Sequence, residues 1–155
     1  MIKHSQAFNK VIGVDVSKAK LDFARAGENT TWEIENTAEA ITTELIGGIE
    51  HLSDTIVVLE ATGGYENVLV SLLHQHEIAV AVINPRRIRQ FSEGIGQNAK
   101  TDPIDAAAIA FYGQVVNPQP QAAQSDQDQK LKALVERRKQ LLDLINQENN
   151  RLQQT

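Results

Sequence analysis

The chain contains no cysteine, which excludes a disulfide framework, a thiolate metal site and a cysteine nucleophile. It has no apolar run approaching the ~20 residues of a membrane-spanning helix, so no membrane partner is expected. Met1 to Lys10 lacks the apolar centre of a secretory leader, and a cytoplasmic protein is expected. Positive charge is also short: 15 lysines and arginines stand against 20 acids, for a net charge of −5. That balance argues mildly against nucleic-acid binding. It is weak evidence, because a carboxylate cluster built around a divalent cation is itself acidic. No internal repeat is present. What remains is 155 residues, 41% hydrophobic and 23% charged, enough for one domain with a real core.

The distribution of charge says more than its sum. Arg86, Arg87, Arg89 and Lys100 stand against Glu93 alone in one stretch. Lys130, Lys132, Arg137, Arg138 and Lys139 stand against Glu136 in another. These are either solvated helix faces or the electrostatic footprint of a polyanion.

Hydrophobic periodicity predicts the elements. Val11 to Val16 reads as a buried strand carrying one acid. Leu21 to Ala26 and Thr30 to Glu35, separated by Gly27, Glu28 and Asn29, continue it as an antiparallel meander. Thr37 to His51 has helical spacing, with Asn36 or Thr37 as N-cap. Thr55 to Ala61 is a buried strand broken by Gly63 and Gly64, Tyr65 to His76 a helix, and Ile78 to Ile83 a fifth strand. Arg86 to Phe91 is a short helix or loop, and the Gly-rich stretch Gly94 to Ala99 is expected to be mobile. Pro103 to Tyr112 reads as a helix with proline in its first turn.

Residues 114–126, rich in proline and glutamine, predict a linker. Residues 127–155 predict one helix with Leu131, Leu134, Leu141, Ile145 and Leu152 on heptad a and d positions and Arg138 and Glu148 in the polar slots. No cap precedes Thr155, which reads as a helix that continues. The order β-β-β-α-β-α-β-α is that of a ribonuclease-H-like α/β fold. It implies a mixed five-stranded sheet flanked by helices, followed by a long coiled-coil-type helix, with the strand of Asp15 beside that of Glu60.

Asp15 sits among apolar neighbours, and an unpaired buried carboxylate is costly. Glu60 repeats the pattern at the end of its strand. Two acids on adjacent strands repel, and a divalent cation reverses the sign of that interaction. Oxygen-only ligands suit Mg²⁺ or Mn²⁺. Asp102 and Asp105 lie three apart at a helix start, where they would share a face. Helix capping explains that pair equally well, with Asp102 as N-cap and Asp105 at N3. Four such acids would serve as ligands for two ions in phosphoryl transfer, acting as catalytic metal ligands and not as proton shuttles.

The stretches VIGVDVSKAKLDFA, LEATGGYE and INPRRIRQFSEGIGQNAKTDPIDAAAIA resemble the DEDD-motif transposases of the insertion-sequence-110 group, which include the pilin-inverting Piv-like recombinases. The resemblance spans about residues 10 to 113. It implies a RuvC-like catalytic domain over residues 1–113, with Asp15, Glu60, Asp102 and Asp105 as the DEDD set. Residues 127–155 would then begin a spacer to a C-terminal domain holding a serine nucleophile, beyond this chain. The implied partners are DNA and, for choosing target and donor sites, an element-encoded guide RNA. The leucine seam of residues 127–155 predicts a homodimer or higher oligomer, against the alternative of packing on its own domain.

Arg86, Arg87 and Arg89 are candidate phosphate contacts, Lys100 a candidate contact to a scissile phosphate, and Ser17 and Lys18 candidate nucleic-acid contacts after the first strand. Turn chemistry explains Ser17 as well. The Gly63-Gly64 pair reads chiefly as a strand end. The histidines read as surface residues, and Phe23 and Trp32 as sheet-face or core residues. Three other functions are open to the same residues. One is a stand-alone endonuclease of the Holliday-junction resolvase type. The second is an actin-like nucleotide-binding half-domain, although the glycine-rich phosphate loops it needs are missing. The third is a non-enzymatic dimerisation module.

Overall fold

The structure, a computed structural model, describes residues 7–96 and 104–155. Five strands form one sheet in the order β3-β2-β1-β4-β5: β1 Lys10–Val16, β2 Lys20–Arg25, β3 Thr31–Glu35, β4 Thr55–Glu60 and β5 Ala79–Ile83. The β1-β2 and β2-β3 pairs are antiparallel, and β1-β4 and β4-β5 are parallel. The meander runs to one side of β1, and the chain then crosses back to place β4 on the other. The carboxyl ends of β1 and β4 therefore flank the switch point of the sheet, where open α/β sheets place their ligands.

Period-two alternation divides the sheet into two packed faces. Ile12, Val14 and Val16 of β1, Leu21 and Phe23 of β2, and Val57 and Leu59 of β4 join a core with Ile41, Leu45, Leu69 and Leu73. Trp32 packs against this core and stacks on Phe23, with ring centroids 5.2 Å apart. On the other face Val11, Ile56, Val58, Ala81 and Ile83 meet Ile88, Ile109 and Tyr112. Helices therefore cover both faces: α1 (Ala38–Ala40) and α2 (Asn67–Gln75) on the first, α3 (Pro85–Gly94) and α4 (Ala106–Val116) on the second.

The helix expected over residues 37–51 is shorter and irregular. Thr37 caps it, its side chain accepting from the Ala40 amide. After α1 the turn widens to π-type over Ile41–Leu45, tightens to 3-10 over Ile46–Gly48 and stops. Thr42 and Thr43 donate their hydroxyls back to the Ala38 and Glu39 carbonyls, which competes with the regular ladder, and the Gly47-Gly48 pair disfavours continuation. The stretch Arg86 to Phe91 is part of a full helix, α3, because Asn84 caps it and Pro85 presets its first turn.

The α4 helix starts at Ala106 and runs past Tyr112 to Val116, where Asn117 closes it in the left-handed conformation (φ 50°). It lies flat on the sheet. A Cβ on Gly13 would stand 2.3 Å from the Ala106 carbonyl oxygen, and one on Gly113 would stand 2.8 Å from Val11 and Val58. Beyond α4, the Gln121 amide donates to Val80 and its side chain to Val82, tying that part of the proline-rich stretch to β5. This compact unit extends to Gln121.

Residues 122–155 form a second unit, dominated by α5 (Asp126–Gln153). Ser125 caps it, and Asp126 and Asp128 lie in the first turn, where negative charge suits the helix dipole. Leu131, Leu134, Leu141, Ile145 and Leu152 are all exposed on it.

Candidate metal centre

The β1-β4 register advances both strands in step, with Val14 beside Leu59, so Asp15 and Glu60 are the next residues on each. Both lie on the face covered by α4, and both are half-buried. Asp105 is the N-cap of α4, its Oδ1 accepting from the Ala108 amide at 2.8 Å. The packing of α4 through Gly13, two residues before Asp15, brings that helix start to the same end of the sheet.

The electrostatics couple these groups. Burial pushes the Asp15 carboxyl above its usual range, and Asp22 and then Asp105 add to the rise, while Lys20 opposes it. Burial and then Asp15 push Glu60 up, while Arg89 opposes. Asp15 is thus linked to Glu60 and to Asp105. Glu60 Oε1 is buried with no hydrogen-bond partner among the described residues. An orphaned carboxylate oxygen beside a second acid is a donor set with a place for a cation. Among the described residues no three acids or histidines stand close enough to enclose an ion. Asp102 and Lys100 lie outside the described residues.

Capping and clustering are both properties of Asp105. It takes the N-cap role expected of Asp102, and a carboxylate that spends Oδ1 on a helix amide still has a second oxygen. Arg86, Arg87 and Arg89 are exposed on α3. Ser17 closes the β1-β2 turn: its hydroxyl donates to the Lys20 carbonyl and accepts from the Lys20 amide. Lys18 is exposed at the tip of that turn. His74, read as a surface residue, is half-buried and lies 3.3 Å from the Gln121 carbonyl.

Three features escaped the sequence reading. Asp22 is the cross-strand partner of Asp15, placed there by the hairpin register. The alternation of Leu21, Asp22 and Phe23 could have signalled it. Glu66 is buried at the end of the loop after Glu60 and accepts from the Thr62 hydroxyl, the Thr62 amide and the Gly64 amide. Burial alone would raise its pKa, but these hydrogen bonds hold it below the usual value. Gly63 (φ 85°) and Gly64 (φ 136°) are needed for the loop to fold around it. Asn36 donates to the carbonyls of both Ser17 and Tyr65.

Cavities of about 390 Å³ and about 320 Å³ open at the amino ends of β1, β4 and β5, lined by residues such as Phe8 and Leu52, and Lys10 and Thr55. They are remote from the carboxylates. No helix among the described residues is long and apolar enough to cross a membrane.

Comparison with known proteins gives the family and the fold. A family profile described as a transposase of the DEDD, insertion-sequence-110 type matches residues 12–155. The pilin gene-inverting proteins of Moraxella lacunata and Moraxella bovis are each 31% identical over 133 residues. That match covers 82% of this chain and 41% of theirs, so the chain spans under half the length of these relatives. The structure of T. thermophilus RuvC in complex with a Holliday junction substrate superposes with a TM-score of 0.51 at 15% identity. It covers 72% of this chain and 99% of that one, which shows a shared fold.

Proposed function

The chain belongs to the DEDD transposase family of the insertion-sequence-110 group, and from that premise we propose that residues 1–113 are a metal-dependent DNA strand-cleaving domain. The observation that carries the reading is the pair Asp15 and Glu60. They are half-buried side by side at the switch point of the sheet, with Glu60 Oε1 lacking a hydrogen-bond partner among the described residues. A hard divalent cation, Mg²⁺ or Mn²⁺, fits such oxygen ligands. Asp15 and Glu60 would hold it, with Asp105 at the start of α4 and Asp102 completing the DEDD set. Held by these residues, divalent ions would supply activation of an attacking oxygen and stabilisation of a leaving oxygen at phosphorus.

The protein's own residues do the rest. Asp15 and Glu60 would serve as ligands in their carboxylate form, which a cation beside them favours, and the dipole at the α4 start favours anionic groups there. Arg86, Arg87 and Arg89 on α3, with Ser17, Lys18 and Lys100, hold the sugar-phosphate backbone and set its position. Arg89 also offsets the charge of Glu60.

Strand exchange, as in a protein that inverts a gene segment, is part of the same proposal and extends to the parts of the relatives outside the match. A guide RNA that selects the DNA sites, a cytoplasmic location, and a homodimer or higher oligomer through residues 127–155 belong to the same proposal.

The deciding measurement is Mn²⁺ binding to the whole chain by calorimetry. The wild type is expected to bind, and Asp15→Asn or Glu60→Gln to weaken binding at least tenfold. Unchanged affinity in both variants would overturn the site. Mg²⁺-dependent cleavage of branched DNA by this chain alone would favour the resolvase-type endonuclease instead.

A further inference from the structure

The loops that follow the two acid-bearing strands are tied to each other by residues outside the DEDD set. After β1, the chain turns at Ser17 within hydrogen-bonded contact of Lys20. After β4, residues 61–66 fold around the Glu66 carboxylate, which gathers the Thr62 hydroxyl and the Thr62 and Gly64 amides on a single oxygen, Oε2. Asn36 stands between the loops. Its Nδ2 donates to the Ser17 carbonyl at 2.8 Å and to the Tyr65 carbonyl at 3.0 Å. Two carbonyl oxygens facing one side-chain atom identify that atom as the amide nitrogen. The Asn36 backbone N–H donates to the Ala19 carbonyl, anchoring the residue to the first loop.

We propose that Asn36 and Glu66 are positioning residues of the metal centre, a two-part brace that sets the separation of the Asp15 and Glu60 strand ends. Glu66 makes the 61–66 loop rigid, and Asn36 locks that rigid loop to the Ser17 turn. Each acts through the strand end it holds. The β1-β4 register is paired as far as Val14 and Leu59, and at the acids each strand pairs outward, Asp15 with Asp22 of β2 and Glu60 with Ile83 of β5, so the link between the two loops adds a direct tie between the two strand ends. The inference rests on the metal-site reading of Asp15 and Glu60.

The test uses the 155-residue chain with Asn36→Asp, Glu66→Ala, Glu66→Gln and Asp15→Asn. Asn36→Asp removes the donor and sets a carboxylate against two carbonyls. Glu66→Gln keeps an acceptor oxygen. Mn²⁺ affinity is expected to fall about tenfold in Asn36→Asp and Glu66→Ala, as for other outer residues that orient metal ligands. It is expected to recover in Glu66→Gln and to be lost in Asp15→Asn. Amide exchange of the metal-free proteins provides a reading that needs no metal: Asn36→Asp should speed exchange in residues 17–20 and 61–66 together. If Asp15→Asn loses Mn²⁺ while Asn36→Asp and Glu66→Ala retain it, the brace is overturned. Faster exchange in only one loop overturns it too. If Asp15→Asn leaves Mn²⁺ binding unchanged, the metal site itself is wrong and the exchange pattern alone decides the brace. Should Asn36→Asp not fold, Asn36→Ala removes the donor without the added charge.

Discussion

Burial works against Asp15 and Glu60 as ionised groups. Each carboxyl is pushed up, first by burial and then by a neighbouring acid. For an acid with a raised folded-state pKa, the folded protein binds the proton more tightly than the unfolded chain. Stability is therefore lost as pH rises from the ordinary carboxyl value through the raised one, and the cost is fully present above it. Without a divalent ion, Asp15→Asn is expected to raise the melting temperature at neutral pH by a few degrees, while leaving it nearly unchanged near pH 3. Calorimetric melts at the two pH values check this. A lower melting temperature at neutral pH would show that Asp15 is stabilising where it stands. Glu66 has the opposite sign. Its lowered pKa contributes stability above the ordinary carboxyl value, lost as pH falls through the folded one.

Two helices carry the element-scale argument. The α4 helix can approach β1 because Gly13 and Gly113 have no side chains. A methyl at Gly13 would meet backbone atoms that cannot rotate away. Gly13→Ala is expected to cost about 1–3 kcal/mol of stability, in line with other overpacked cores. It should also weaken Mn²⁺ binding, because Asp105 rides on the displaced helix. Denaturant melts and Mn²⁺ titration of the variant check both parts; wild-type stability would mean that α4 does not need this close approach. The α3 helix presents exposed Arg86 and Arg87. If these touch phosphates, replacing either with alanine lowers DNA affinity about equally across sequences and reduces the log–log salt slope by about one. A fluorescence titration at several salt concentrations measures it.

At the level of the whole chain there are two compact units. The first buries both faces of its sheet. The second is a helix whose large apolar residues, Leu131, Leu134, Leu141, Ile145 and Leu152 among them, are exposed. Val135, Leu142 and Leu144 widen that stripe beyond a strict heptad seam. An apolar stripe of this length calls for a partner. The double variant Leu141→Glu and Ile145→Glu is expected to convert an oligomer to a monomer in sedimentation, with some loss of helix signal. A wild-type chain that already sediments as a monomer would remove the dimer from the proposal.

The sequence by itself was enough for the element order, the meander, the long leucine-seamed helix and the family. Each is written in short-range periodicity or in motif strings such as LEATGGYE and AKTDPIDA. It also pointed to Asp15, because an acid inside an apolar strand is visible without knowing its neighbours. Other features were not legible there. The irregular α1 depends on competition between threonine hydroxyls and the backbone ladder. The N-cap role of Asp105 depends on where α4 starts. Asp22 stands beside Asp15 only through the hairpin register, and Glu66 and Asn36 matter only because two loops distant in sequence meet at the carboxyl ends of β1 and β4. Periodicity follows from local backbone geometry, whereas the grouping of charges and hydrogen bonds at the strand ends follows from long-range packing, which only the folded chain decides.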